Sequence, residues 1–292
     1  MPDTDRLAEQ FEQHRAHLRA VAYRMLGSAS EADDAVQESW IRLGRTDVRE
    51  VENLRAWLTT IVGRVCLDML RTRRSRREDP LDTHVPDPLV SRIEPDQESE
   101  AVLADSVGLA LLVVLEALEP AERLAFVLHD VFGMTFDEIA PVVDRSPAAA
   151  RQLASRARRR VQSRPQPDND LRSQRRVVDA FLAAVRDANF DALVALLDPD
   201  IVLRADGGAA RGMSRLARGP QEVAAQAEAF SKLALSSEVV LVNGNPGLVS
   251  HLPDGRVFAV IGFTIAGGKV VEMDILADPE RITRLDLSAL AR

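Results

Sequence analysis

The sequence carries one cysteine, Cys66, and only two lysines among its 37 basic residues. A single thiol excludes a disulfide framework and a cysteine-rich metal site. Its place in an apolar run, residues 61–67, reads as a small core residue. No stretch approaches the ~20 consecutive apolar residues of a membrane span. The opening Met1-Pro2-Asp3-Thr4-Asp5 lacks the basic head and apolar core of a secretory signal. These absences lead us to expect a protein of the reducing cytoplasm, with no membrane partner, no metal and no cofactor.

What is present is ordinary for a soluble globular protein: 292 residues, 46% hydrophobic and 28% charged. That length suits two or three domains. The net charge of −8 argues against nucleic acid only if it is read globally. By segment the net is +2 over residues 1–77, −8 over 78–105, +1 over 106–164 and −3 over 165–292. Screening confines each charge to about 10 Å at cellular salt, so the local balance decides.

Leu7, Phe11, His14, Leu18, Val21, Ala22 and Met25 recur at three-to-four spacing and predict a first helix. Gly27 and Ser28 break it. Ser30 is expected to cap a second helix, with Val36, Trp40 and Leu43 facing inward. Residues 44–53 have no period and read as a loop. A third helix starts near Leu54, with Trp57, Leu58, Ile61, Val65, Leu67 and Leu70 on its apolar side. Residues 79–105 hold four prolines and many acids, a composition that reads as a flexible linker. Helical periodicity returns over 107–118 and 120–128. From Leu171 two helices are followed by β-like runs at 201–203, 238–242, 248–252, 257–264 and 269–276, an α+β signature. Gly267-Gly268 marks a hairpin turn.

The chemistry is densest over 135–161. Thr135 with Glu138 forms a capping box for a short helix, and Ser146 with Pro147 starts a longer one that ends in a run of arginines. A short helix, a tight turn and a basic helix make a helix-turn-helix. Ser146 and the small Ala148, Ala149 and Ala150 allow close approach to a major groove. Arg151, Gln152 and Ser155 lie along the helix beside them, Arg151 and Gln152 having the hydrogen-bonding groups that discriminate bases. Arg156, Arg158 and Arg159 lie where phosphates would run. Against this stands a plain solvated basic helix end.

A second basic tract, 71–77, holds five arginines in seven residues. On the second helix Asp33, Asp34, Gln37 and Glu38 share one face. Spacing alone favours a solvated acidic face for these four over a docking surface for a basic partner.

The runs Asp33-Asp34-Ala35-Val36-Gln37-Glu38-Ser39-Trp40 and Arg55-Ala56-Trp57-Leu58-Thr59-Thr60-Ile61, with the helix-turn-helix ending Ser155-Arg156-Ala157-Arg158, resemble the sigma-70 family, extracytoplasmic-function group. The resemblance covers residues 6–163. It implies that Asp33, Asp34, Gln37 and Glu38 dock on the coiled coil of the RNA polymerase β′ subunit. It implies that the loop reaching Asn53, with the helix after it, recognises and opens the minus-ten element, with Arg64, Arg71 and Arg74 on phosphates. The helix-turn-helix would read the minus-thirty-five element while seated on the β flap. The expected layout is a polymerase- and minus-ten-binding domain at 1–78, a linker at 79–105, a helix-turn-helix domain at 106–164 and an α+β domain at 171–292.

The tail is similar to a SnoaL-like domain, the cone-shaped α+β fold fused to sigma factors of the sigma-J type. This resemblance rests on Asp206-Gly207-Gly208, on Asn243-Gly244-Asn245-Pro246-Gly247 and on Leu276-Ala277-Asp278-Pro279-Glu280-Arg281. It implies a regulatory extension that replaces a separate anti-sigma protein, acting through Asp206, Gly207 and Gly208 and through Pro86, Asp87 and Pro88 in the linker. The chain departs from the family in having His84-Val85-Pro86-Asp87-Pro88 for Trp-Leu-Pro-Glu-Pro, and Ala209 where a third glycine is usual. Asp206, His251, Asp254 and Asp274 offer acid-base groups in principle, but turn and strand-end roles are the simpler reading, so no catalysis is expected. A stand-alone helix-turn-helix regulator with a ligand-sensing tail is the alternative.

Overall fold

The computed structural model describes residues 2–44, 53–76, 83–93, 108–208, 214–231 and 236–290. The expected loop at 44–53 lies outside these residues except at its two ends. The chain divides into two compact bodies: Met1–Asp79 with Val114–Ser163, and Pro80–Val113 with Arg164–Arg292.

The described residues of the first body form helices and short turns. α1 (Pro2–Leu26), α2 (Ala29–Leu43) and α3 (Leu54–Arg76) pack around Phe11, Leu18, Met25, Val36, Leu58 and Cys66, all buried. Ser28, not Ser30, caps α2. It holds an extended backbone and its hydroxyl accepts from the Glu31 N–H, whereas the Ser30 hydroxyl only meets that of Ser28. Trp57 and Ile61 are half-exposed on α3, with Val62 and Cys66 taking the inward stripe. Burial pushes the Cys66 thiol up to about 12.

α4 (Leu109–Glu116) leads into α5 (Pro120–Phe126), which widens into a π-type turn over Val127–Val131. α6 (Phe136–Val143) and α7 (Pro147–Gln162) follow, with the expected caps: the reciprocal Thr135–Glu138 box, and Ser146 accepting from the Ala149 N–H. Asp144 takes the left-handed conformation that ends α6 (φ 54°). Ala150, Ala154 and Ala157 form the buried stripe of α7.

The helices of 54–76 and 120–143 pack against one another. A charged cluster lies inside this junction. Arg123 is 1% exposed; its Nε donates to the Arg24 carbonyl (3.1 Å) and its Nη1 lies 3.1 Å from Glu116. Arg73 reaches Glu116 (3.6 Å), donates to the Leu26 carbonyl (3.2 Å) and pairs with Glu31.

The second body is a seven-stranded sheet faced by helices, as the α+β reading expects. Its strands are β1 (Val90–Ser91), β2 (Leu197–Asp206), β3 (Arg215–Arg218), β4 (Ser236–Val242), β5 (Asn245–His251), β6 (Val257–Ala266) and β7 (Lys269–Leu276). The order is β1-β4-β5-β6-β7-β2-β3, antiparallel except for the parallel β2–β7 pair. β4 to β7 form a meander. Gly267 and Gly268 both have positive φ, as a type I′ turn demands, and the Asp168 carboxylate accepts from both of their N–H groups. α8 (Leu171–Arg186), α9 (Phe190–Leu196) and α10 (Pro220–Ser231) cover one sheet face, where Val178 and Phe181 join Leu203, Phe263, Met273 and Ile275 in the core. A short helix, α11, spans Pro279–Ile282, and a single 3-10 turn follows at Ser288–Leu290.

The expectation of a flexible linker is corrected over residues 83–93. Val85, Pro86 and Pro88 are buried, and β1 pairs with β4 through Val90↔Val242 and Ser91↔Leu241. Acids and prolines are poor at ordering themselves, but here the order is imposed by partners remote in sequence. The sequence reading also has no counterpart for β1, β3, α10 and α11.

Candidate nucleic-acid interface

α7 turns about 100° per residue, so its residues sort into faces. With Ala150, Ala154 and Ala157 inward, Ala148, Gln152, Ser155 and Arg159 form the centre of the outward face. Ala148, Gln152 and Arg159 are exposed and Ser155 is half-buried. Arg151 lies beside them, exposed, with its guanidinium 5.2 Å from the Phe136 ring centre. The Ser146 cap leaves this helix start open to solvent, while Ala149 is partly covered.

Three arginines of α7 are held from the sides. Arg156 pairs with Glu122 at 2.6 Å, Arg160 with the same carboxylate at 3.3 Å, and Arg158 with Asp130 at 2.6 Å. Glu122 is buried, so these pairs anchor α7 to α5 as well as displaying charge. The sequence alone gives no means of separating Arg159, which has no ion-pair partner among the described residues, from these three.

On the first helical group, Asp33 bonds to Arg19 (2.7 Å) and Glu38 to Arg42 (2.9 Å), while Asp34 and Gln37 are exposed. Asp34 and Glu38, with Glu31 and Asp68, line a groove of about 710 Å³ between α2 and α3. Asn53 caps α3 from its exposed position, accepting from the Ala56 N–H at 3.1 Å. Arg64 is exposed and donates to the Pro141 carbonyl (3.0 Å). Arg71 is exposed, 3.9 Å from Asp68. The Arg74 side chain lies outside the described residues.

In the second body the structure gathers the linker and tail motifs. Asp206, 6% exposed, accepts from the Val85 N–H (3.0 Å), from Arg281 Nη1 (2.6 Å) and from the Gly208 N–H (3.1 Å), with His84 Nδ1 3.1 Å away. Arg281 Nε also donates to Asp87 at 2.7 Å. Burial opposes the charge on Asp206. The contacts from His84, the Val85 N–H, Arg281 and the Gly208 N–H together outweigh it and hold this carboxyl below its ordinary range. Gly208 has φ 62°, and a Cβ there would strike the Asp278 carboxylate, so only glycine fits. Asn243 closes the other end, exchanging hydrogen bonds with Leu89 at 2.8 and 3.1 Å. Sequence reasoning names Pro86, Asp87, Pro88, Asp206, Gly207 and Gly208. It quotes Arg281 only as a motif end and misses that this residue joins the two segments.

A depressed carboxylate stabilises above its ordinary value, here 3.8, and loses that contribution as pH falls through the lower folded value. Asp206→Asn should therefore melt below the parent at neutral pH. The gap should close only in acid, below about pH 4, as followed by calorimetry across pH.

Among the described residues no group of His, Cys, Asp and Glu could hold a metal ion, and no helix is long and apolar enough to cross a membrane.

Residues 10–76 match the family model for sigma-70 region 2, residues 108–161 that for sigma-70 region 4, and residues 178–275 that for a SnoaL-like domain. The chain is 38% identical to the ECF RNA polymerase sigma factor SigJ of Mycobacterium tuberculosis, covering 94% of this chain and 92% of that one. It is an extracytoplasmic-function RNA polymerase sigma factor. It is also 32% identical to the probable ECF sigma factor SigI of the same organism, over 98% of both chains. The crystal structure of SigJ matches this sigma factor with a TM-score of 0.75 at 34% identity, over 96% of this chain and 99% of that one. The fold is thus two helical sigma regions followed by a SnoaL-like α+β domain. The sigma factor binds core RNA polymerase and promoter DNA and directs transcription initiation, which sets aside the stand-alone regulator.

Proposed function

We propose that the α2 face of Asp33, Asp34, Gln37 and Glu38 seats this sigma factor on the β′ coiled coil of core polymerase. The groove between α2 and α3 supports this: its four acids outnumber Arg42 and Arg73, which pair with Glu38 and Glu31, and leave a net negative concave surface for a basic helical partner. Asn53, Arg64, Arg71 and Arg74 serve the minus-ten element, at the end of the segment that opens DNA and along the helix that follows. α7 reads the minus-thirty-five element with Arg151, Gln152 and Ser155 at base edges, Ser146 and Ala149 against the backbone, and Arg156, Arg158 and Arg159 on phosphates, with the β flap supporting the domain. The observation that carries this reading is the outward face of α7, on which Ser146, Ala148, Gln152 and Arg159 are exposed.

The tail modulates activity by holding Pro86, Asp87 and Pro88 against Asp206, Gly207 and Gly208, and takes the place of a separate anti-sigma protein. It is no enzyme: Asp206 and Asp274 are committed to arginine pairs. The setting is the cytoplasm, and the working domains are 1–78, 106–164 and 171–292, with 79–105 between them.

In-vitro transcription with core polymerase tests the assignment. The chain should direct a start site at one promoter class while binding duplex promoter poorly by itself. Tight, salt-sensitive operator binding without polymerase would instead favour an independent regulator. Gln152→Ala should relax base preference in the upstream element, costing about 1–3 kcal/mol if its contact is bidentate. Arg159→Ala should weaken binding to every sequence alike.

A further inference from the structure

The second body encloses a cavity of about 460 Å³ between α8, α10 and the inner face of the sheet. That volume lies within the range of small-molecule sites, and such sites pair apolar walls with a few placed polar groups. Strand alternation decides what lines it. Leu203 of β2, Leu248 of β5, and Met273 and Ile275 of β7 point inward, with Phe181 from α8. Their neighbours Arg204, Glu272 and Asp274 point to the other face, where Arg204 lies 2.8 Å from Asp274 and 3.6 Å from Glu272. Asp206 and His251 likewise sit outside the cavity lining.

The polar groups collect at one end. Arg186, exposed at the end of α8, donates to the Ser237 carbonyl (3.3 Å), and the Ser237 hydroxyl meets that of the buried Ser250 at 2.8 Å. Ser236 completes this rim. Among the described residues that line the cavity, Arg186 is the one that titrates. An apolar chamber with an arginine and three hydroxyls at its edge matches an amphiphile whose oxygen-bearing head is anionic.

We propose that this cavity binds a small apolar carboxylic acid, its hydrocarbon body among Leu203, Leu248, Met273 and Ile275 and its carboxylate at Arg186 and the rim serines. No acid or imidazole is among the described residues facing the ligand, so the site is assigned binding and not turnover. It is thus a receptor site, independent of the polymerase- and DNA-binding assignments above.

Calorimetric titration of the full chain with decanoate, and separately with decanol, tests this without polymerase or DNA. Decanoate should bind saturably, one per chain. Arg186→Gln should weaken decanoate about tenfold, the effect of one lost charged hydrogen bond, and leave decanol unchanged. Leu248→Trp, which fills the chamber, should abolish binding of both; Ala227→Phe, entering from α10, does the same from another wall should the first variant fail to fold. Absence of saturable decanoate binding to the parent chain overturns the proposal. So does binding that persists in a folded chamber-filling variant, and loss of decanoate and decanol alike in Arg186→Gln rejects the carboxylate assignment.

Discussion

A reducible bis-maleimide bridge between Arg64→Cys and Pro141→Cys should switch off promoter-directed initiation, and reductant should restore it. The two elements named for the promoter lie about 25 base pairs apart, which at 3.4 Å per step is roughly 85 Å. A compact body of the first body's size has a radius of gyration of about 14 Å. On the proposed assignment of regions 2 and 4 to these elements, the two cannot be occupied together while α3 remains packed on α5 and α6. The Arg64 guanidinium reaches the Pro141 carbonyl, so a short bridge between these exposed positions fits only the packed arrangement. Cys66 does not interfere, since its thiol is buried and pushed up to about 12. The comparison is with the same double variant before bridging, which removes the separate effect of losing Arg64. Full transcription from the bridged protein would contradict the requirement for separation.

Arg123→Ala should lower the melting temperature of the chain more than any other single change described here. Truncation leaves the Glu116 carboxylate, its side chain 8% exposed, with Arg73 alone at 3.6 Å, and removes the donor from the Arg24 carbonyl. Breaking a buried pair costs about 3–5 kcal/mol when it leaves a carboxylate short of compensation and a large buried side chain missing, and here one of the two guanidinium partners of Glu116 goes. For a body of this size that corresponds to about 10–15 °C. The paired change Arg123→Met with Glu116→Leu should recover most of the loss, because an apolar pair of similar volume needs no charge compensation. A melting curve for the double variant as low as that of Arg123→Ala would mean that shape, not charge, sets the cost.

The legible parts of the molecule are those whose cause is local. The Thr135–Glu138 box, the Ser146 cap and the Gly267-Gly268 turn are fixed by residues within a few positions of one another, and each stands where the pattern puts it. Ser28 displaced Ser30 as a cap because two serines two apart carry the same signal and only the backbone angle separates them. α10 had a readable signal in Pro220 followed by Val223, Ala224 and Ala227, but alanine is a weak marker of an inward face. The order of residues 83–93 was not readable at all. Val85 is held by Asp206 and Asp87 by Arg281, partners more than a hundred residues away, against a composition that argues for disorder. The same holds for the interface: spacing marks which arginines lie on α7, but not that Glu122 and Asp130 engage three of them.

The stretch that joins the two helical sigma regions also supplies the two-residue edge strand, Val90–Ser91, of the tail's sheet. Eleven residues, 83–93, are tied down there. Peeled away and drawn straight, they would lengthen the tether by at most about 36–40 Å. On the proposed reading the tail would work as a spool, the span within reach set by how much of this chain it lets go.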